Sequence, residues 1–113
     1  MSDPNGSQPQ LRINEQLDHD GALRLALAGE LDLAVIDVLD DRLVALKQEG
    51  RRVRLDLAEL EFIDSTGVRE LLLAVADAGK DGWDLEIDPH VSETVSRVIE
   101  LAGVGSRFWP ETG

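Results

Sequence analysis

Apolar residues along this chain change their spacing several times, and those changes dictate an alternating order of strands and helices. Leu11, Ile13 and Leu17 sit at odd positions, separated by Arg12, Asn14 and Gln16. That period of two belongs to a strand with one buried face. His19-Asp20-Gly21 supplies turn residues, and Leu23, Leu25 and Leu27 resume the alternation. Residues 11–28 therefore predict an antiparallel hairpin. Gly29-Glu30-Leu31-Asp32 breaks the pattern, and Ile36, Leu39, Leu43 and Leu46 then follow 3-4-3 spacing on one helical face. Asp32 is the expected N-cap of that helix, and Gly50 suits the left-handed position that ends it.

The second half repeats the scheme. Val53, Leu55 and Leu57 alternate with Arg54 and Asp56 as a third strand, and residues 58–63 read as a loop pinned by Phe62 and Ile63. After Asp64-Ser65-Thr66-Gly67 a helix carries Val68, Leu71, Leu72 and Val75 on one stripe and closes near Gly79. Asp81-Gly82 is a turn, and Trp83, Leu85 and Ile87 mark a fourth strand. Asp88-Pro89 has the form of an N-cap followed by Pro at the first helical position. Val91, Val95, Val98, Ile99 and Ala102 make the last stripe, ended by Gly103. Phe108 and Trp109 in the tail read as one more strand or a packed cap.

The order β-β-α-β-α-β-α sets strands two, three and four parallel, with the first antiparallel. Alternation in every strand implies one buried face, where the helices must gather. The expected fold class is α/β, a four- to five-stranded mixed sheet with three or more helices mainly on one face. Residues 11–113 form a single expected domain. The lead 1–10, rich in Pro, Gly, Ser, Asn and Gln, is expected to be disordered.

Composition narrows the function classes. An apolar content of 42% in 113 residues supports a real core. The chain has no Cys, which removes disulfides, thiolate catalysis and thiolate metal sites and makes a reducing cytoplasm the expected compartment. No apolar run approaches a membrane span, and the amino terminus lacks the basic and apolar regions of a signal peptide. The 23 acidic residues against 11 basic ones give a net charge of -12. Such a surface repels nucleic-acid backbones and anionic lipid. Solubility accounts for the charge, and so does a partner with a basic docking face.

The loops after strands two and three fall at the same carboxyl edge of such a sheet, where α/β proteins place their sites. They hold Gly29-Glu30-Leu31-Asp32 and Asp64-Ser65-Thr66-Gly67. Ser65 would open a helix, whose free amides and dipole suit an anion on its oxygen. Ordinary capping also explains Asp and Ser there, and explains Asp32 equally well. As a catalytic nucleophile Ser65 would need a base and an oxyanion site. The two histidines are His19, in the hairpin turn at the opposite edge, and His90, in an exposed first turn. No nucleophile elbow, phosphate loop or cluster of metal ligands is present, so the expectation is a non-enzyme without a cofactor.

The stretch Leu55-Asp56-Leu57 through Phe62-Ile63-Asp64-Ser65-Thr66-Gly67-Val68 resembles the phosphoacceptor region of STAS-domain anti-sigma factor antagonists. Gly29-Glu30-Leu31-Asp32 resembles the family's second characteristic turn. Val95, Arg97-Val98-Ile99-Glu100-Leu101 and Gly103-Val104 resemble its last helix. The likeness spans about residues 11 to 109 in matching order. It implies that the unmodified protein binds an anti-sigma factor serine kinase, an ATPase of histidine-kinase-like fold, and so frees a sigma factor. It implies phosphorylation at Ser65 as the off signal and a PP2C-type serine phosphatase as the reset. Asp64, Thr66 and Gly67 would shape the acceptor loop, and Asp32, Val68 and Arg69 would belong to the docking edge. Arg69 departs from the small residue of some members, and Thr66 offers a second hydroxyl. The same resemblance covers a STAS subunit of a phospholipid-transport ABC system or of a stress-signalling scaffold.

Overall fold

Neighbouring strands in the sheet are neighbours in sequence, in the order β1-β2-β3-β4. The structure, a computed structural model, describes residues 10–109. The strands are β1 (Leu11–Leu17), β2 (Leu23–Leu31), β3 (Val53–Ile63) and β4 (Leu85–Ile87). The helices are α1 (Ile36–Gln48), α2 (Ser65–Asp81), α3 (Glu93–Ala102) and the single turn α4 (Gly105–Phe108). β1 pairs antiparallel with β2, and β2–β3 and β3–β4 are parallel, as the crossover helices require. Apart from Gln10, the expected disordered lead lies outside the described residues.

One face of the sheet is apolar. Leu25, Leu27 and Leu31 of β2 and Leu55, Leu57 and Leu60 of β3 are wholly buried. They share one cluster with Leu39 and Leu46 of α1, Leu71 of α2, Val95 of α3 and Phe108 of α4. Each such side chain contributes about 1.5–3 kcal/mol on leaving water, so the helices stay on this face.

The opposite face is ionic. Arg24 reaches the carboxylates of Asp18 at 3.0 Å, Asp56 at 3.0 Å and Asp88 at 3.1 Å. Arg54 reaches Asp18 at 2.6 Å and Asp20 at 2.8 Å, and also bonds Glu86. The guanidinium of Arg24 holds Asp18 below the usual carboxylate range, and that of Arg54 brings Asp20 down to about 2. These groups remain partly in water, where ion pairs stabilise only weakly, so their main effect is to keep this face hydrated.

Several boundaries differ from the sequence reading. Residues 58–63 are strand, because Glu59, Leu60, Phe62 and Ile63 pair with the far end of β2. β2 itself runs on through Gly29 to Leu31, where Glu30 N donates to Gln10 O at 2.8 Å. Helix α1 starts at Ile36 behind Val35, not at an Asp32 cap. Helix α2 runs past Gly79 to Asp81 and is capped by Gly82 in left-handed conformation at φ 73°. Trp83 precedes β4, and its indole Nε1 donates to Arg51 O at 2.7 Å. Helix α3 begins after Ser92, because Asp88 is committed to Arg24 and to the amide of His90 at 2.9 Å. The tail is a packed cap: Trp109 Nε1 donates to Ile87 O at 2.7 Å, and its ring meets Phe108 edge-on at 5.6 Å.

Candidate functional site

Parallel pairing ends with Leu31 opposite Ile63, so the turns that follow β2 and β3 lie side by side. Asp64 ties them together. Its amide donates to Leu31 O at 3.2 Å, its Oδ1 accepts from Gly67 N at 2.9 Å, and its Oδ2 accepts from Leu33 N at 3.3 Å. One carboxylate thus caps α2 and holds the neighbouring turn. Asp32, half-buried in that turn, accepts from Ala34 N at 3.1 Å and closes an Asx turn instead of a helix cap.

Gly67 lets α2 pack against this junction. A Cβ there would stand 2.7 Å from Ile63 Cγ1 and 2.8 Å from Leu31 O. Its predicted place in the acceptor loop therefore reflects close approach, with no side chain offered to a partner.

Ser65 is exposed and is the first residue of α2, whereas Thr66 is half-buried. The helix itself gives the amides of Ser65 and Thr66 no acceptor, and the positive dipole end lies there. Ser65 also lines an apolar recess of about 430 Å³ between α2 and α3. Val68, Arg69 and Leu72 continue its wall, opposite Val98 and Leu101. Val68 is only 7% exposed and forms part of the floor, while Arg69 stands out into solvent.

Leu101, 81% exposed, enters the sequence reading only within the last-helix resemblance, and Leu33, 70% exposed beside Asp64, does not enter it. Leu101 was detectable as a large apolar residue off the stripe of Val95, Ile99 and Ala102. Leu33 carried no such signal, since it sits in a turn.

Both oxygens of Asp64 are taken by backbone amides, and no side chain among the described residues bonds the Ser65 hydroxyl. His19 lies in the β1–β2 turn, at the amino end of β2 and away from Ser65. His90 is exposed in the connection between β4 and α3.

Replacing Asp64 by Ala should lower unfolding free energy by about 1–2 kcal/mol, the usual loss with an N-cap. Asp64→Ser should restore the cap to α2 while leaving Leu33 N unbonded. Urea denaturation of the two variants checks this: equal losses would mean that the bond to Gly67 contributes nothing.

The arrangement is an α/β scaffold that places the exposed Ser65 hydroxyl at a helix start beside an apolar groove. The family model described as "Mlab, STAS domain" matches residues 15–107, and the chain belongs to the STAS domain family. It is similar to the anti-sigma-B factor antagonist of Staphylococcus epidermidis, 30% identical over 91 residues, or 80% of this chain and 83% of that one. The anti-sigma-B factor antagonist of Bacillus subtilis is 28% identical over 82 residues, covering 73% of this chain and 74% of its own. Among solved structures, an anti-sigma factor antagonist from Mycobacterium paratuberculosis superposes with a TM-score of 0.71. That match covers 98% of this chain and 92% of the other at 23% identity, a likeness of fold.

Proposed function

We propose that this single-domain protein is an anti-sigma factor antagonist, switched by phosphorylation of Ser65. Unmodified, it binds an anti-sigma factor serine kinase of the histidine-kinase-like ATPase fold, and a sigma factor is released. A PP2C-type serine phosphatase reverses the modification. The names of the relatives support the first part. The observation that carries the switch is the exposed Ser65 at the start of α2, on the lip of an apolar groove.

A kinase reaching this hydroxyl would cover the groove wall at Arg69, Leu72 and Leu101 and the turn at Asp32 and Leu33. Thr66, half-buried, is the poorer acceptor. The protein takes part as the phosphoryl acceptor and needs no cofactor of its own. Such a switch operates in the cytoplasm, and among the described residues no helix is long and apolar enough to cross a membrane.

The test is incubation with an anti-sigma factor serine kinase and ATP, followed by mass spectrometry of the peptide containing residues 64–69. Phosphate on Ser65 is expected. Phosphate confined to Thr66 would displace the assignment. Failure to bind any such kinase, with capture by an ABC permease or a scaffold subunit, would favour the transport or stress-assembly reading.

A further inference from the structure

Helix α2 is the shared wall of two recesses. Ser65, Arg69 and Leu72 face α3, whereas Glu70, Leu73 and Asp77 face α1. The second recess, about 190 Å³, is bounded across the gap by Asp40, Val44 and Lys47, with Trp83 at one end. Val44 and Leu73 are 46% and 51% exposed, an apolar pair on adjacent helices.

The rim is anionic. Asp40 and Glu70 line the recess from opposite helices, with Asp37 and Asp77 close enough to act on Glu70. Lys47, the one cation among the described residues that line the recess, is already bonded to Asp81. Burial first, and Asp40 next, push Glu70 up to about 7.

We propose that the groove between α1 and α2 is a second docking surface, which takes a cationic amphipathic segment of a partner protein. Charge complementarity selects that occupant. A second copy of this chain, at net charge -12, would add anions to anions. No group of three or more His, Asp or Glu among the described residues could hold a metal ion. A helix with Leu at i, i+3 or i+4 and i+7 and Lys on its flanks meets the apolar pair and the acidic rim at once. Ser65 lies on the other wall of α2, so the groove is open in both phosphorylation states.

The probe is a synthetic Leu/Lys helical peptide of about four turns, end-labelled for fluorescence anisotropy, with backbone amide NMR shifts to map its footprint. Binding in the micromolar range, with shifts on α1, α2 and the Trp83 segment, is expected. Leu73→Lys and Val44→Lys, both at exposed positions, should weaken it by at least about tenfold, and Glu70→Gln by less. Leu101→Lys and Ser65→Glu should leave it within about twofold, since they alter the other wall. Absence of binding overturns the proposal. So do equal losses with Leu101→Lys, or equal binding of an all-Lys peptide without leucines, which would mean unspecific attraction. Because the readout involves neither kinase nor phosphate, it fails or succeeds independently of the Ser65 switch.

Discussion

Ser65→Ala is expected to bind the anti-sigma kinase as well as the native protein does and to accept no phosphate, whereas Ser65→Glu should bind at least about a hundredfold more weakly. A phosphate adds about -1.5 to -2 charges and three acceptor oxygens to the first turn of α2. The fold should tolerate this, because the amides of Ser65 and Thr66 lack helical acceptors and lie at the positive dipole end. The partner is where the penalty falls. A surface shaped around a neutral hydroxyl beside Leu72 and Leu101 would meet bulk and an unpaired charge. Thermal unfolding should therefore distinguish the variants from the native protein hardly at all, while calorimetric titration with the kinase separates them widely. In cells the two should give opposite outputs, sigma factor constitutively free with Ala and constitutively held with Glu. Strong binding by Ser65→Glu and by the phosphoprotein would end the switch model.

Two glycines of the same helix should respond to Ala with opposite signs. At Gly67 the new methyl would press on Ile63 and on the Leu31 carbonyl, and that carbonyl also accepts the Asp64 amide. The backbone there is held by the β2–β3 pairing and cannot retreat freely. Overpacking of about 1–3 kcal/mol should exceed the gain of about 1 kcal/mol that Ala brings to a helix over Gly. Gly67→Val should be worse and should also displace Ser65. Nothing lies within 4 Å of a Cβ built on Gly79, so Gly79→Ala should stabilise by about 0.5–1 kcal/mol. Urea denaturation of both single variants is the measurement. A stabilised Gly67→Ala would show that the junction under Ser65 is loose.

The same contrasts explain which parts of the molecule were readable in advance. Strict alternation at Leu23, Leu25 and Leu27 and at Val53, Leu55 and Leu57 announced two strands. Beyond them the inward residues of β3 are Leu57, Leu60 and Ile63, spaced by three, and the pairing with β2 shifts register twice. That irregularity erased the period of two and disguised strand as loop. Asp88-Pro89 satisfied every local rule for a helix start, yet Arg24, 64 positions away, claims the Asp88 carboxylate. The start of α2 was legible because its setting is local, an Asp cap with a glycine three residues on, whereas the acceptor role of Ser65 rests on the family resemblance. The groove between α1 and α2 was not legible, since Val44 and Leu73 become unroofed apolar surface only once helices have packed.

A sheet ordered β1-β2-β3-β4 also has a bearing on how the chain is made. Each strand joins the edge left by its predecessor, so no segment has to wait for a later one to be inserted beside it. The β1–β2 hairpin can form while α1 is still emerging from the ribosome, and each later strand–helix unit adds to a template already in place. Contacts that close over short stretches of chain fold quickly. The topology thus permits vectorial assembly from the amino end, with the turn at Asp64 completed as soon as β3 and the start of α2 have been synthesised.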